Sequence, residues 1–205
     1  AYTSNGQPVR TSNPVNTGSK EWVINPRKMS IYREDYSGNS RIKNSPDDDY
    51  GYELIRKDAG FRKAIAEVAD ELNIPAVWLA DLMELETAGW THVKKGNPWG
   101  YTGLIQMSAE NMRHYGTSPQ AIRNMSLADQ MRKVVAPYLR DRDKYQKIKT
   151  MEDLVMAVWA APKWQKKTPE QRAKLNDGLS GTTIQWYMER MGKGAGRRYN
   201  HNYDK

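Results

Sequence analysis

The 205-residue chain predicts a mainly α fold, with a helical domain between a long extended arm and a basic extension. Apolar residues recur at helical spacing from residue 58 onward, cap residues stand ahead of those runs, and no stretch shows the alternation of a strand. Hydrophobic residues make up 38% of the chain and mean hydropathy is -0.88, so a core forms only if a sizeable part of the sequence stays outside it.

Residues 1–57 lack helical periodicity and are rich in Ser, Asn, Gly, Pro and Asp, with scattered aromatics such as Trp22, Tyr32, Tyr50 and Tyr52; they read as an extended arm. Asp47, Asp48 and Asp49 are adjacent, without the spaced ligands of a calcium loop, so a turn or helix start is expected there. Asp58 then caps a helix that carries Phe61, Ile65, Val68 and Leu72 on one face. Asn73 and Pro75 open a second helix, whose broad apolar stripe runs through Trp78, Leu79, Leu82, Met83, Leu85 and Glu86 until Ala88 and Gly89 end it. Residues 90–103, WTHVKKGNPWGYTG, have the composition of a loop, and the apolar rhythm resumes at Leu104, Ile105, Met107, Met112 and Tyr115. Later helices follow Ser126 with Asp129, Thr150 with Asp153, and Thr168 with Pro169 and Gln171; Thr182 caps the last. The expected divisions are an arm at 1–57, a helical domain at 58–165 and a helical, basic extension at 166–205.

With no Cys, the chain has no disulfide, no Cys-based zinc or iron–sulfur site and no Cys nucleophile. His92 and His114 lack metal-ligand spacing, so neither metal nor cofactor is expected. No apolar run approaches the roughly 20 residues of a membrane span, and the first twenty residues lack the apolar stretch of a signal peptide, which predicts a soluble chain without an export signal. The net charge is +8, and residues 166–205 hold nine basic against four acidic side chains, so the tail is either solvated or in weak contact with a polyanion. Seven Trp and twelve Tyr beside a single Phe suit surfaces that stack on sugars or bases.

Glu86 lies seven residues after Leu79, four after Leu82 and three after Met83, which puts it on the face of the apolar stripe and predicts partial burial. Burial disfavours the ionised carboxylate, so the group stays protonated nearer neutral pH and serves as a general acid, an effect worth about 10²- to 10⁴-fold in rate. Glu84 points about 200° away at the helical 100° per residue and is expected in solvent. On these residues alone, a helix-end carboxylate paired with Lys94 or Lys95 and without chemistry is the simpler reading.

Glu86-Thr87 at a helix end, then a short loop, then Gly103-Leu104-Ile105-Gln106-Met107 opening the next helix, resembles the signature of soluble lytic transglycosylases and goose-type lysozymes, where Glu-Ser is followed by Gly-Leu-Met-Gln. The resemblance covers residues 58 to about 163, and MSLADQMRKVVAPYLRDR and MEDLVMAVWAAP are similar to later helices of the phage-encoded members. It implies a lysozyme-like helical domain that cleaves the β-1,4 bond between N-acetylmuramic acid and N-acetylglucosamine in peptidoglycan. In that reading Glu86 protonates the leaving oxygen, Thr87 steadies it, and Gln106 with the backbone of Gly103, Leu104 and Ile105 holds the sugar, while Trp90, Trp99 and Tyr101 offer stacking faces. The family's Ala-Tyr-Asn on a late helix is replaced by Ala157-Val158-Trp159, which bears on activity; Trp159 is expected in the core and outside the site.

Most glycosidases use two carboxylates. Between Glu86 and Glu110 there is none, and the loop offers Thr91, His92, Lys94, Lys95 and Thr102 instead. Single-acid chemistry that closes a 1,6-anhydro muramic ring is therefore expected, with a hydrolase drawing on a remote acid such as Asp129 or Asp153 as the alternative. The arm and the phage-like helices together predict a phage virion or tail component that opens the cell wall in the host periplasm, docked through residues 1–57 to other virion proteins in an oligomeric assembly. Two further readings remain: a structural tail protein that keeps the fold without cleaving glycan, and a free endolysin.

Overall fold

A computed structural model describes residues 15–16, 21–23, 41–161, 163–178 and 181–191. Most of the expected docking arm and the tail beyond residue 191 lie outside the described residues.

The described chain is mainly helical, as predicted, with three short strands that the sequence did not announce: β1 (Val15–Asn16), β2 (Glu21–Val23) and β3 (Arg41–Lys43). β2 pairs antiparallel with β1 and parallel with β3. Runs of two or three residues are too short to show alternation.

Residues 41–57 belong to the folded body, which corrects the arm boundary at 57. Ile42 and Ile55 are 1% and 0% exposed, the latter within α1 (Glu53–Arg56). The Tyr52 hydroxyl donates to Asp81 Oδ1 at 2.6 Å. Ile42, Leu54, Ile55 and two tyrosines are the apolar side chains in this stretch, too few for a periodicity to register. The Asp cluster does form a turn: Asp48 and Asp49 carboxylates accept from the backbone N–H groups of Tyr50 and Gly51.

Asp58 caps α2 (Ala59–Leu72) by accepting from the Phe61 N–H at 2.8 Å. Asn73, at φ +56°, closes α2 rather than opening the next helix. The cap of α3 (Ala76–Glu86) comes from Asn44, whose side-chain oxygen accepts the Ala76 N–H at 2.6 Å while its amide donates to Asp70 and to the Ile74 carbonyl. Every residue of α3 from Ala76 to Leu85 is buried, so α3 is the central helix of the core. Glu84, expected in solvent, is only 3% exposed, because a central helix has no outer face.

The stretch read as a loop contains α4 (His92–Lys95). Gly103–Met107, expected to open a helix, instead forms a tight turn closed by reciprocal backbone hydrogen bonds between Thr102 and Met107 at 3.1 and 3.0 Å. Gly103 sits there at φ +92° and Gln106 at φ +49°, conformations no right-handed helix admits. Ser108 then caps α5 (Ala109–His114), and α6 (Pro119–Asn124) follows.

α7 (Leu127–Gln130), capped by Ser126 as expected, runs through a π turn at Met131–Val135 into α8 (Ala136–Tyr145). Pro137 brings no N–H and its ring crowds the preceding turn, which the wider π spacing accommodates. Thr150 and Asp153 form a reciprocal capping box on α9 (Met151–Val158), and Thr168 with Gln171 does the same on α10 (Pro169–Ala173). The last helix, α11 (Ile184–Arg190), is capped by Thr183, one residue later than expected. It packs on α9 and buries Ile184 and Tyr187, so residues up to 191 are part of the body and not an appendage. Among the described residues no helix is long and apolar enough to cross a membrane.

Candidate active site

A cavity of about 190 Å³ opens at the C-terminal end of α3, several times the ~30 Å³ of a water molecule and so wide enough for an organic ligand. Glu86 is the last residue of α3 and lines this cavity. It is partly buried, as its place beside the apolar stripe predicts. Its carboxyl is raised to about 7: burial pushes it up most, hydrogen bonds from Trp159 and Tyr187 pull it partly back, and the charge of Asp177 adds a smaller upward push. Trp159 Nε1 donates to Glu86 Oε1 at 3.2 Å. The partners of Glu86 are thus an indole and a phenol rather than the ammonium of Lys94 or Lys95, and they leave room for the neutral acid.

Trp159, expected in the core, is partly exposed and lines the cavity. Its ring meets Tyr187 edge to face, centroids 4.9 Å apart at 79°, and the contact fixes both donors around Glu86. The Tyr138 hydroxyl donates to the carbonyls of Ala157 and Val158 at 3.2 and 3.0 Å, which anchors the end of α9 from which Trp159 projects.

The other predicted site residues divide into two groups. Trp99, Tyr101, Ile105 and Gln106 line the cavity with Glu86. Asn97 Oδ1 accepts from the backbone N–H groups of Trp99 and Tyr101, both at 3.0 Å, and so shapes the loop that carries them; Trp99 is 43% exposed at the rim. The Gln106 amide donates to the carbonyls of Gly103 and His92 at 2.8 and 3.2 Å, and its Oε1 is buried without a hydrogen-bond partner.

Thr87, Trp90, Gly103 and Leu104 do not line the cavity, which corrects their expected contact with sugar. The Thr87 hydroxyl donates to the Met83 carbonyl at 2.6 Å and accepts from the Trp90 N–H at 3.0 Å, so it secures the helix end rather than the Glu86 carboxyl. Trp90 packs edge-on against Tyr52 and Phe61, with centroids 5.4 and 6.2 Å away. Leu104 is 1% exposed and its N–H donates to Gln130 Oε1 at 3.2 Å. A Cβ on Gly103 would lie 3.2 Å from Ile122 and 3.4 Å from Gln130, so its role is to let this turn pack.

Neither remote acid reaches the cavity. Asp129 pairs with Lys133 at 3.4 Å in solvent, and Asp153 is held by its capping box and by Trp164 Nε1 at 2.7 Å. Asp177 does line it, as does Tyr187. Sequence reading missed both because they lie about a hundred residues from Glu86, in a segment whose turn and cap residues explained themselves locally. For Trp159 a signal was present: it stands in Ala157-Val158-Trp159, the triplet nearest to the Ala-Tyr-Asn of the transglycosylases that the sequence resembles. Among the described residues no group of three or more His, Cys, Asp or Glu is placed to hold a metal ion.

No family model, curated protein or solved structure matches the chain. The resemblance to lytic transglycosylases therefore rests on the motif residues themselves, and the functional reading on the chemistry of this cavity.

Proposed function

We propose that the protein cleaves the glycan strands of peptidoglycan at the β-1,4 bond between N-acetylmuramic acid and N-acetylglucosamine, with Glu86 as the acid. The observation that carries this reading is a carboxyl raised to about 7 in a cavity rimmed by aromatic rings. Near neutral pH such a carboxyl holds a proton and can still give it up, which is the requirement for protonating a glycosidic oxygen. Trp99 and Tyr101 supply flat apolar faces for pyranose rings. The indole of Trp159 and the hydroxyl of Tyr187 both donate to Glu86 and steady the carboxylate left after it has given up its proton.

The setting we propose is a phage virion, in which the chain opens the cell wall locally in the host periplasm. Support comes from the similarity of residues 125–142 and 151–162 to phage-encoded transglycosylases, and from the polar, non-periodic first forty residues as a docking segment for other virion proteins. The basic C-terminal residues add a weak attraction to anionic wall polymers.

Purified peptidoglycan treated with the wild type should release soluble muropeptides, and Glu86→Gln should release about 10²- to 10⁴-fold less. A folded wild type that releases nothing would favour the second reading, a structural tail protein that retains the fold; the replacement of the family's Ala-Tyr-Asn by Ala157-Val158-Trp159 is the observation on its side.

A further inference from the structure

We propose that Asp177 is the second carboxylate of this site and accepts the proton of a water molecule that attacks C1 of the muramic sugar, so that the products carry ordinary reducing ends. The inference rests on the glycan-cleaving reading above and departs from the single-acid chemistry expected from the loop after Glu86. That expectation counted carboxylates close in sequence, whereas the cavity gathers its wall from both ends of the body.

Asp177 lines the same cavity as Glu86 and is partly exposed within it, so water reaches it. It is also held in place. Its N–H donates to the Thr182 carbonyl and its Oδ1 accepts from the Gly181 N–H, both at 3.0 Å, while Asn176 bridges to Thr183 and the Ile184 N–H donates to the Leu175 carbonyl at 3.0 Å. The base of α11 therefore fixes the carboxylate at the cavity wall, as a proton acceptor needs. Its charge is also the smallest of the causes that act on Glu86, which it raises. Two carboxyl groups that line one cavity, one of them the buried acid, supply the kinds of group that glycoside hydrolysis uses as proton donor and proton acceptor.

The step balances as follows. Glu86 gives its proton to the glycosidic oxygen as the C1–O bond breaks, the water oxygen bonds to C1, and the water proton passes to Asp177. One water is consumed per bond, and Asp177 returns its proton through solvent to recharge Glu86. No other co-reactant enters.

Digestion of purified peptidoglycan in H₂¹⁸O, followed by mass spectrometry, tests this on the unmodified full chain. The expected result is one ¹⁸O at each new muramic reducing end. Asp177→Ala should release about 10²- to 10⁴-fold less product. Added azide, a nucleophile that needs no base, should restore its cleavage and yield a glycosyl azide, which a residue with a merely structural role would not do. Unlabelled 1,6-anhydro ends from the wild type would overturn the assignment while leaving glycan cleavage intact, as would wild-type release of labelled ends by Asp177→Ala. No release at all by the folded wild type would overturn the glycan-cleaving reading, and this assignment with it.

Discussion

Burial lifts the Glu86 carboxyl while the Trp159 indole and Tyr187 hydroxyl pull it down, and the outcome, about 7, bears on stability and, under the proposed function, on rate as functions of pH. Release of glycan by an acid requires the protonated form, so activity should fall as pH rises through about 7. Trp159→Phe keeps the ring and removes the Nε1–H donor, so the alkaline limb of the pH profile should move upward, by up to about 1 unit for a hydrogen bond to a charged group worth ~1.5 kcal/mol. A limb that moves downward would contradict the donor role. For stability, the folded carboxyl near 7 and its ordinary value of 4.5 mean that the folded state binds more protons between the two. Stability is then full below the lower value and is lost as pH rises through the upper one, by up to about 3 kcal/mol. Glu86→Gln, which cannot ionise, should therefore be more stable than the wild type by about 1–3 kcal/mol at pH ~8 and nearly equal to it at pH ~4.5, as thermal unfolding at the two pH values will show. The partial burial of Glu86 was legible in the sequence because its determinants, Leu79, Leu82 and Met83, lie within two turns on the same helix. Asp177 and Tyr187 were not, because their approach to Glu86 depends on how α11 packs on α9, and no local pattern records that.

Helices whose ends are set by neighbouring residues were legible at this level as well: Asp58 on α2, the Thr150–Asp153 box on α9 and the Thr168–Gln171 box on α10 all act within one turn. α3 behaves differently. Its cap, Asn44, comes from 32 residues upstream, and its sides are buried against several elements, so a polar face read from its own sequence put Glu84 wrongly in water. Asn44→Ala removes the acceptor for the Ala76 N–H and the donor to Asp70, and should cost about 1–3 kcal/mol in urea unfolding, more than an exposed capping residue. The turn after α4 carries a second test. At φ +92° with Ile122 and Gln130 close by, Gly103→Ala combines backbone strain with crowding and should cost about 1–3 kcal/mol, and it should also weaken glycan release by shifting Gln106, whose amide is tied to the Gly103 carbonyl at 2.8 Å. A Gly103→Ala protein of unchanged stability would show that the turn relaxes freely.

At the scale of the molecule, the sequence divides the segments before residue 58 and after residue 165 from the helical domain, yet described residues of both pack into it. Tyr187 and Asp177 complete the cavity from one end of the chain, while Ile42, Asn44, Tyr52 and Ile55 support α2 and α3 from the other. Full burial of an isoleucine side chain contributes about 1.5–3 kcal/mol, so Ile42 and Ile55 together with the Asn44 cap amount to roughly 4–8 kcal/mol. That is comparable to the whole stability of a typical domain, about 5–15 kcal/mol. A chain that begins at residue 58 should therefore lose cooperative unfolding and glycan release together, whereas one that begins at residue 41 should keep both. Urea titration followed by far-UV circular dichroism, alongside muropeptide release, distinguishes the two. The distinction matters for the virion setting, because loss of activity after a cut at residue 57 reports a broken core, while loss of virion incorporation with activity retained after a cut at residue 40 reports a docking segment. If the chain starting at 58 folds and cleaves as well as the one starting at 41, the packing of Ile42 and Ile55 contributes nothing essential and the arm ends at residue 57, where the sequence places its end.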